Sequence, residues 1–76
     1  MNILVLNGPN LNLLGLREED IYGSESLASI EEKLKNLAHD ANCEIEFFQS
    51  NAEHELINSI QNAYENQVDV IIFNPA

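Results

Sequence analysis

Three short apolar runs, separated by two stretches of helical periodicity, leave this chain few folds to choose from. Residues 2–6 (Asn-Ile-Leu-Val-Leu) read as a short buried strand. Residues 44–49 (Glu-Ile-Glu-Phe-Phe-Gln) form a second strand, and residues 68–73 (Val-Asp-Val-Ile-Ile-Phe) a third, apolar enough to be central. From Ser26, a plausible N-cap, Leu27, Ile30, Leu34, Leu37 and Ala38 recur on one face of a helix. Ser50 and Glu53 have capping-box spacing and place a second helix start there, with Leu56, Ile57, Ile60, Ala63 and Tyr64 as its apolar stripe. Strands separated by helices imply right-handed crossovers, a parallel sheet and the α/β class.

The chain has 76 residues, room for one small domain spanning 1–76, with no repeat, linker or low-complexity segment. It stops just after an apolar strand with no helix to cover the far side. The expectation is a longer protein seen in part, or a fold completed by another chain. Cys43 is the only cysteine, so no internal disulfide forms, and a lone thiol fits a reducing, cytosolic setting. The formal charge of −10, without a basic patch, argues against nucleic acid and anionic membranes as partners. Met1 to Leu6 is apolar, but Asn7 ends the run far short of a signal peptide or a membrane span.

Residues 7–25 hold all three glycines and one proline, and read as a long loop, which in a compact domain is usually functional. In a parallel sheet all strands end on one edge, where ligands bind at the switch point in strand order. Each strand here is followed at once by amides: Asn7, Asn10 and Asn12 after the first, Gln49 and Asn51 after the second, Asn74 after the third. Such groups orient hydroxyls or water without adding charge. They also favour turns and caps. Asn51 stands beside a helix start, and the cap is the better reading for it. Phosphate loops are excluded, because neither GxxxxGK[ST] nor GxGxxG is present.

Arg17 is the only arginine, and it lies in the long loop with Tyr22. Tyr22 can act as a general base only as phenolate. An unperturbed tyrosine pKa is about 10, so a shift of about three units costs roughly 4 kcal/mol. One cation about 5 Å away, at an effective dielectric near 20, supplies about 3 kcal/mol. Arg17 would therefore provide most of the shift, provided that Glu18, Glu19 and Asp20 face solvent. The plainer reading, favoured by composition alone, is a surface loop with an Arg-Glu ion pair and a packed tyrosine. His39, at the end of the first helix, and His54, in the first turn of the second, have no visible nucleophile or acid partner.

These residues carry a resemblance. Asn7-Gly-Pro-Asn-Leu-Asn-Leu-Leu-Gly15, then Arg17-Glu18, then Tyr22-Gly23, resembles the N-terminal signature of type II 3-dehydroquinate dehydratases. Phe48-Gln-Ser-Asn51, followed by Glu53 and Leu56-Ile57, is similar to the second motif of that family, and Ile71-Ile72-Phe73-Asn74-Pro75 to the start of its third. The likeness runs the whole length in the correct order.

The resemblance implies a flavodoxin-like, three-layer parallel sheet, of which this chain supplies the first β-α-β-α-β part. It implies dehydration of 3-dehydroquinate to 3-dehydroshikimate in the shikimate pathway, without metal or organic cofactor, by a cytoplasmic homo-oligomer, a dodecamer built from trimers. By position, Tyr22 corresponds to the base that takes a proton from C2 to give an enolate. Arg17 corresponds to the residue that lowers the tyrosine pKa and stabilises the transition state. Asn10 corresponds to an active-site asparagine and Asn74 to a substrate-binding residue. Glu19 departs from the usual proline, and His54 from the usual glycine. The family is roughly twice as long, and its second half carries the general-acid histidine. Two rival expectations follow: a truncated subunit without catalysis, and a flavodoxin-like module binding a flavin or nucleotide.

Overall fold

The computed structural model describes residues 1–14 and 25–75. Strand β1 (Asn2–Asn7) leads through a short 3-10 turn (Leu11–Leu13) toward helix α1 (Leu27–Asp40). Strand β2 (Glu44–Gln49), helix α2 (Glu53–Glu65) and strand β3 (Val70–Asn74) follow. All pairings are parallel, and the sheet order is β2-β1-β3. The first crossover steps to one side of β1 and the second to the other, so the switch point lies between β1 and β3.

The alternation of β1 divides the core in two. Leu4 and Leu6 cluster with Leu56 and Ala63 of α2, with Val68 packed alongside. Val5 and Asn7 point to the other face, toward Leu27, Ile30 and Leu34 of α1 and Phe47 of β2. Leu6 is completely buried. Burying a leucine of this kind contributes about 1.5–3 kcal/mol, so this cluster is the main anchor of α2.

Helix α1 starts as its sequence predicts: the Ser26 hydroxyl accepts from the Ser29 N–H at 3.1 Å. Ala38 is buried on its apolar stripe, whereas Leu37, at the stripe's margin, is largely exposed. Helix α2 starts differently from the Ser50–Glu53 capping box. Its N-cap is Ala52, which offers no side-chain acceptor. The Ser50 hydroxyl instead accepts from the Ala52 N–H at 2.9 Å and donates to the Glu55 carboxylate. The motif is displaced by two residues because the chain turns at Ser50 before the helix begins. Only Leu56 and Ala63 of the α2 stripe are buried; Tyr64 is 90% exposed.

Both helices stop on a left-handed residue. Asn42 (φ 57°) and Gln67 (φ 59°) follow α1 and α2. The Cys43 N–H then reaches back to the Ala38 carbonyl, and the Val68 N–H to that of Ala63. This six-residue closure satisfies carbonyls that the helix end leaves free. It also keeps Val68 out of β3, which begins at Val70 rather than at residue 68.

Strand β3 is as apolar as a central strand requires; among the described residues it pairs with β1. Val70, Ile71, Ile72 and Phe73 are 38–47% exposed.

Candidate active site

The final row of the sheet is made of amides. Asn7 is the register partner of Gln49 on one side and of Asn74 on the other. Paired residues of a parallel sheet share a face, so all three side chains stand on the α1 side at the C-terminal edge. Asn7 is buried. The Asn74 Nδ2 donates to its Oδ1 at 2.9 Å.

The backbone ladder extends one step past this row. The Gly8 N–H donates to the Asn74 carbonyl at 2.8 Å, and the Ser50 N–H donates to the Asn7 carbonyl at 3.0 Å. Gly8 is needed here for space. A Cβ on it would sit 2.7 Å from the Pro75 carbonyl oxygen and 3.1 Å from that of Asn74, both backbone atoms. Close approach of the first loop to the end of β3 therefore requires glycine.

Asn10 follows in the left-handed conformation, φ 70° and ψ −5°. Asparagine tolerates this region better than most residues. Asn10 opens the 3-10 turn, in which its carbonyl accepts from the Leu13 N–H at 3.0 Å, and its side chain does not cap that turn. Its own N–H donates to Asn51 Oδ1 at 2.8 Å. Gln49 Nε2 donates to the same Asn51 oxygen and to the Gly8 carbonyl, each at 3.1 Å, and lies 3.5 Å from Asn12 Oδ1. The amides thus converge on one edge, as their positions after the strands predict. Asn51 departs from its expected part: its side chain faces the first loop and does not cap α2.

A cleft of about 230 Å³ opens beside the row, lined by Val5, Asn7, Leu11, Ile30, Glu31 and Asn74 among others. A larger hollow, about 450 Å³, lies near the starts of β1 and β2, against Asn2, Glu44 and Asn62. The smaller one is the better candidate, because ligands of open parallel sheets bind at the carboxyl ends of strands. Asn74 lines that cleft, and Asn10 stands on the same edge. Arg17 and Tyr22 lie outside the described residues.

The lysines are engaged elsewhere. Lys33 pairs with Glu25 at the start of α1. That hydrogen bond holds the Glu25 carboxyl below the usual carboxylate range. Lys35 places its ammonium 5.9 Å from the centroid of the Phe47 ring. Among the described residues no cluster of three or more His, Cys, Asp or Glu side chains could hold a metal ion. None of the described helices is long and apolar enough to cross a membrane.

Comparison with known proteins agrees with this geometry. The family model described as Dehydroquinase class II matches residues 1–76. A 3-dehydroquinate dehydratase of Methylococcus capsulatus is 60% identical over 73 residues, covering 96% of this chain and 49% of that protein. One from Haemophilus influenzae is 58% identical over 74 residues, with 97% and 49% covered. Among solved structures, a type II dehydroquinase from Butyrivibrio crossotus superposes with a TM-score of 0.94 at 46% identity, covering all of this chain and 52% of the other. One from Propionibacterium acnes gives 0.88 at 33% identity, with 99% and 51% covered. The chain spans about half the length of the curated relatives it matches. With a match that runs its full length in both sequence and fold, the chain belongs to the class II dehydroquinase family.

Proposed function

We propose that this chain supplies the N-terminal, base-bearing half of a 3-dehydroquinate dehydratase domain. The reaction is anti elimination of water to give 3-dehydroshikimate. Tyr22, as phenolate, takes a proton from C2, and the electron pair moves onto the carbonyl oxygen as an enolate. Collapse of the enolate forms the new double bond as the hydroxyl leaves, protonated by a general acid. Arg17 lowers the tyrosine pKa and stabilises the developing charge. Asn10 and Asn74 offer neutral donors to the substrate and to a water near the enolate oxygen. The carrying observation is the row Gln49–Asn7–Asn74 with Asn10 above it: uncharged amides gathered at the switch point, of which Asn7 and Asn10 shortly precede residues 15–24 in sequence. A cytoplasmic homo-oligomer, a dodecamer built from trimers, is the assembly that fits this reading.

The test uses a full-length protein carrying this segment. Tyr22→Phe lowers kcat by orders of magnitude while substrate binding changes little; a variant within a few-fold of the parent removes Tyr22 as base. Arg17→Ala also lowers kcat. Because activity requires the phenolate, and loss of the cation raises the tyrosine pKa, the limb on which activity rises with pH moves upward by about one to three units. An unmoved limb removes the pKa role of Arg17.

The half-length coverage favours a second reading for the 76-residue chain by itself, as a subunit without catalysis. Following 3-dehydroshikimate absorbance with this polypeptide alone separates the two. The expected result is no turnover, since a base without its acid performs half of the proton transfer.

A further inference from the structure

The contacts of Asn51 and Gln49 form a chain whose orientation is dictated from both ends. The Asn10 N–H can only donate, so Asn51 must present Oδ1 to it. Gln49, facing that oxygen and the Gly8 carbonyl, must then present Nε2 to both. Its two hydrogens are spent on these two contacts at 3.1 Å, with Asn12 Oδ1 a longer neighbour at 3.5 Å. Neither amide can flip without setting two acceptors or two donors against each other. The two residues bracket the exit of β2, yet both reach across to the loop that follows β1. That loop holds Asn10 in a left-handed conformation that non-glycine residues rarely adopt.

We propose that Gln49 and Asn51 are positioning residues for the reaction. Together they clamp residues 8–12 to the end of β2 and thereby fix where Asn10 presents its carboxamide. The clamp itself is geometric; its catalytic consequence rests on the dehydratase reading given above.

The experiment uses a full-length protein carrying residues 1–76 and reads both amide hydrogen exchange and steady-state kinetics. Asn51→Leu keeps the volume and removes the acceptor. Exchange at the Asn10 N–H accelerates about tenfold, the loss of one net hydrogen bond. Exchange at Leu4 to Leu6 is unchanged. In the same variant kcat falls about 10- to 100-fold with KM within a few-fold, as displacement of a site group predicts. Asn51→Asp keeps an acceptor for both donors, and it restores Asn10 protection and kcat to within a few-fold of the parent. Gln49→Glu places a carboxylate against two acceptors, so its turnover relative to the parent at the same pH falls as pH rises through the introduced carboxyl's titration, and the deficit narrows when that group is protonated and donates its one O–H. Unchanged Asn10 protection in Asn51→Leu overturns the proposal. So does lost protection with unaltered kcat, or an Asn51→Asp variant as impaired as Asn51→Leu. A parent protein without dehydratase turnover refutes the functional reading instead, and the exchange comparison then decides the clamp alone.

Discussion

Asn74 donates its side-chain amide to the buried Oδ1 of Asn7 at 2.9 Å, linking the ends of two strands that lie 67 residues apart in the sequence. The bond orients Asn74 at the mouth of the cleft. Asn7→Leu removes the acceptor and leaves a donor beside apolar surface. The expected cost is about 1–3 kcal/mol in denaturant unfolding, with a raised KM for 3-dehydroquinate in a full-length protein. Unchanged stability and KM together would show that Asn7 has no hold on Asn74.

Gly8→Ala tests the close approach of the first loop to β3. The added methyl meets the Pro75 carbonyl oxygen at 2.7 Å, so the backbone of one segment must move. The expected loss is about 1–3 kcal/mol, on the scale of overpacking a filled site. The amide shifts that report it should concentrate at Asn74 and Pro75; shifts confined to Gly8 and its neighbours would mean that the loop yields freely.

Under the proposed function Asn10 carries two burdens, a backbone one and a side-chain one, that substitution can separate. Glycine accepts its φ of 70° without strain but has no carboxamide, whereas alanine lacks both advantages. Asn10→Gly should therefore fold about as stably as the parent and lose turnover. Asn10→Ala should lose turnover and about 1 kcal/mol of stability as well. Equal melting temperatures for the two variants would contradict the backbone part of this account.

The Glu25–Lys33 pair gives a pH prediction with a definite sign. Lys33 lowers the folded-state pKa of Glu25 below its unfolded value. The stabilisation is present above the ordinary carboxylate range and disappears as pH falls through the lowered pKa. The pair is exposed, so its contribution is small and screened by salt. Lys33→Met should raise the Glu25 titration midpoint measured by NMR while leaving the melting temperature at neutral pH nearly unchanged. A midpoint that stays low would locate the cause elsewhere.

Much of the fold is legible in the residues. The bounds of β2, the Ser26 cap of α1 and the parallel β-α-β-α-β order follow from local rules of period, cap chemistry and crossover hand. The edge at which the amides gather is legible too, because every parallel strand delivers its following residues to the same side. Less legible are the start of α2 and the part played by Asn51. Ser50 and Glu53 have the right spacing for a capping box, but spacing cannot show that the chain turns before the helix begins. Asn51 is read as a cap because its neighbours start a helix, and only the position of a loop some 41 residues earlier gives its side chain another donor.

By itself the sequence determined the element types, the parallel sheet, the candidate residues Arg17, Tyr22, Asn10 and Asn74, and the resemblance that gave them a reaction. Those are properties of short windows and of residue chemistry. Tertiary structure alone decided that β2 and β3 flank β1 on opposite sides in the described sheet. It also aligned Gln49, Asn7 and Asn74 in one row and tied Asn10 to Asn51. The reason is that strand register and loop-to-loop hydrogen bonds depend on how distant segments meet. A donor's partner is chosen by the packing of the two core faces around Leu6, which no local spacing encodes.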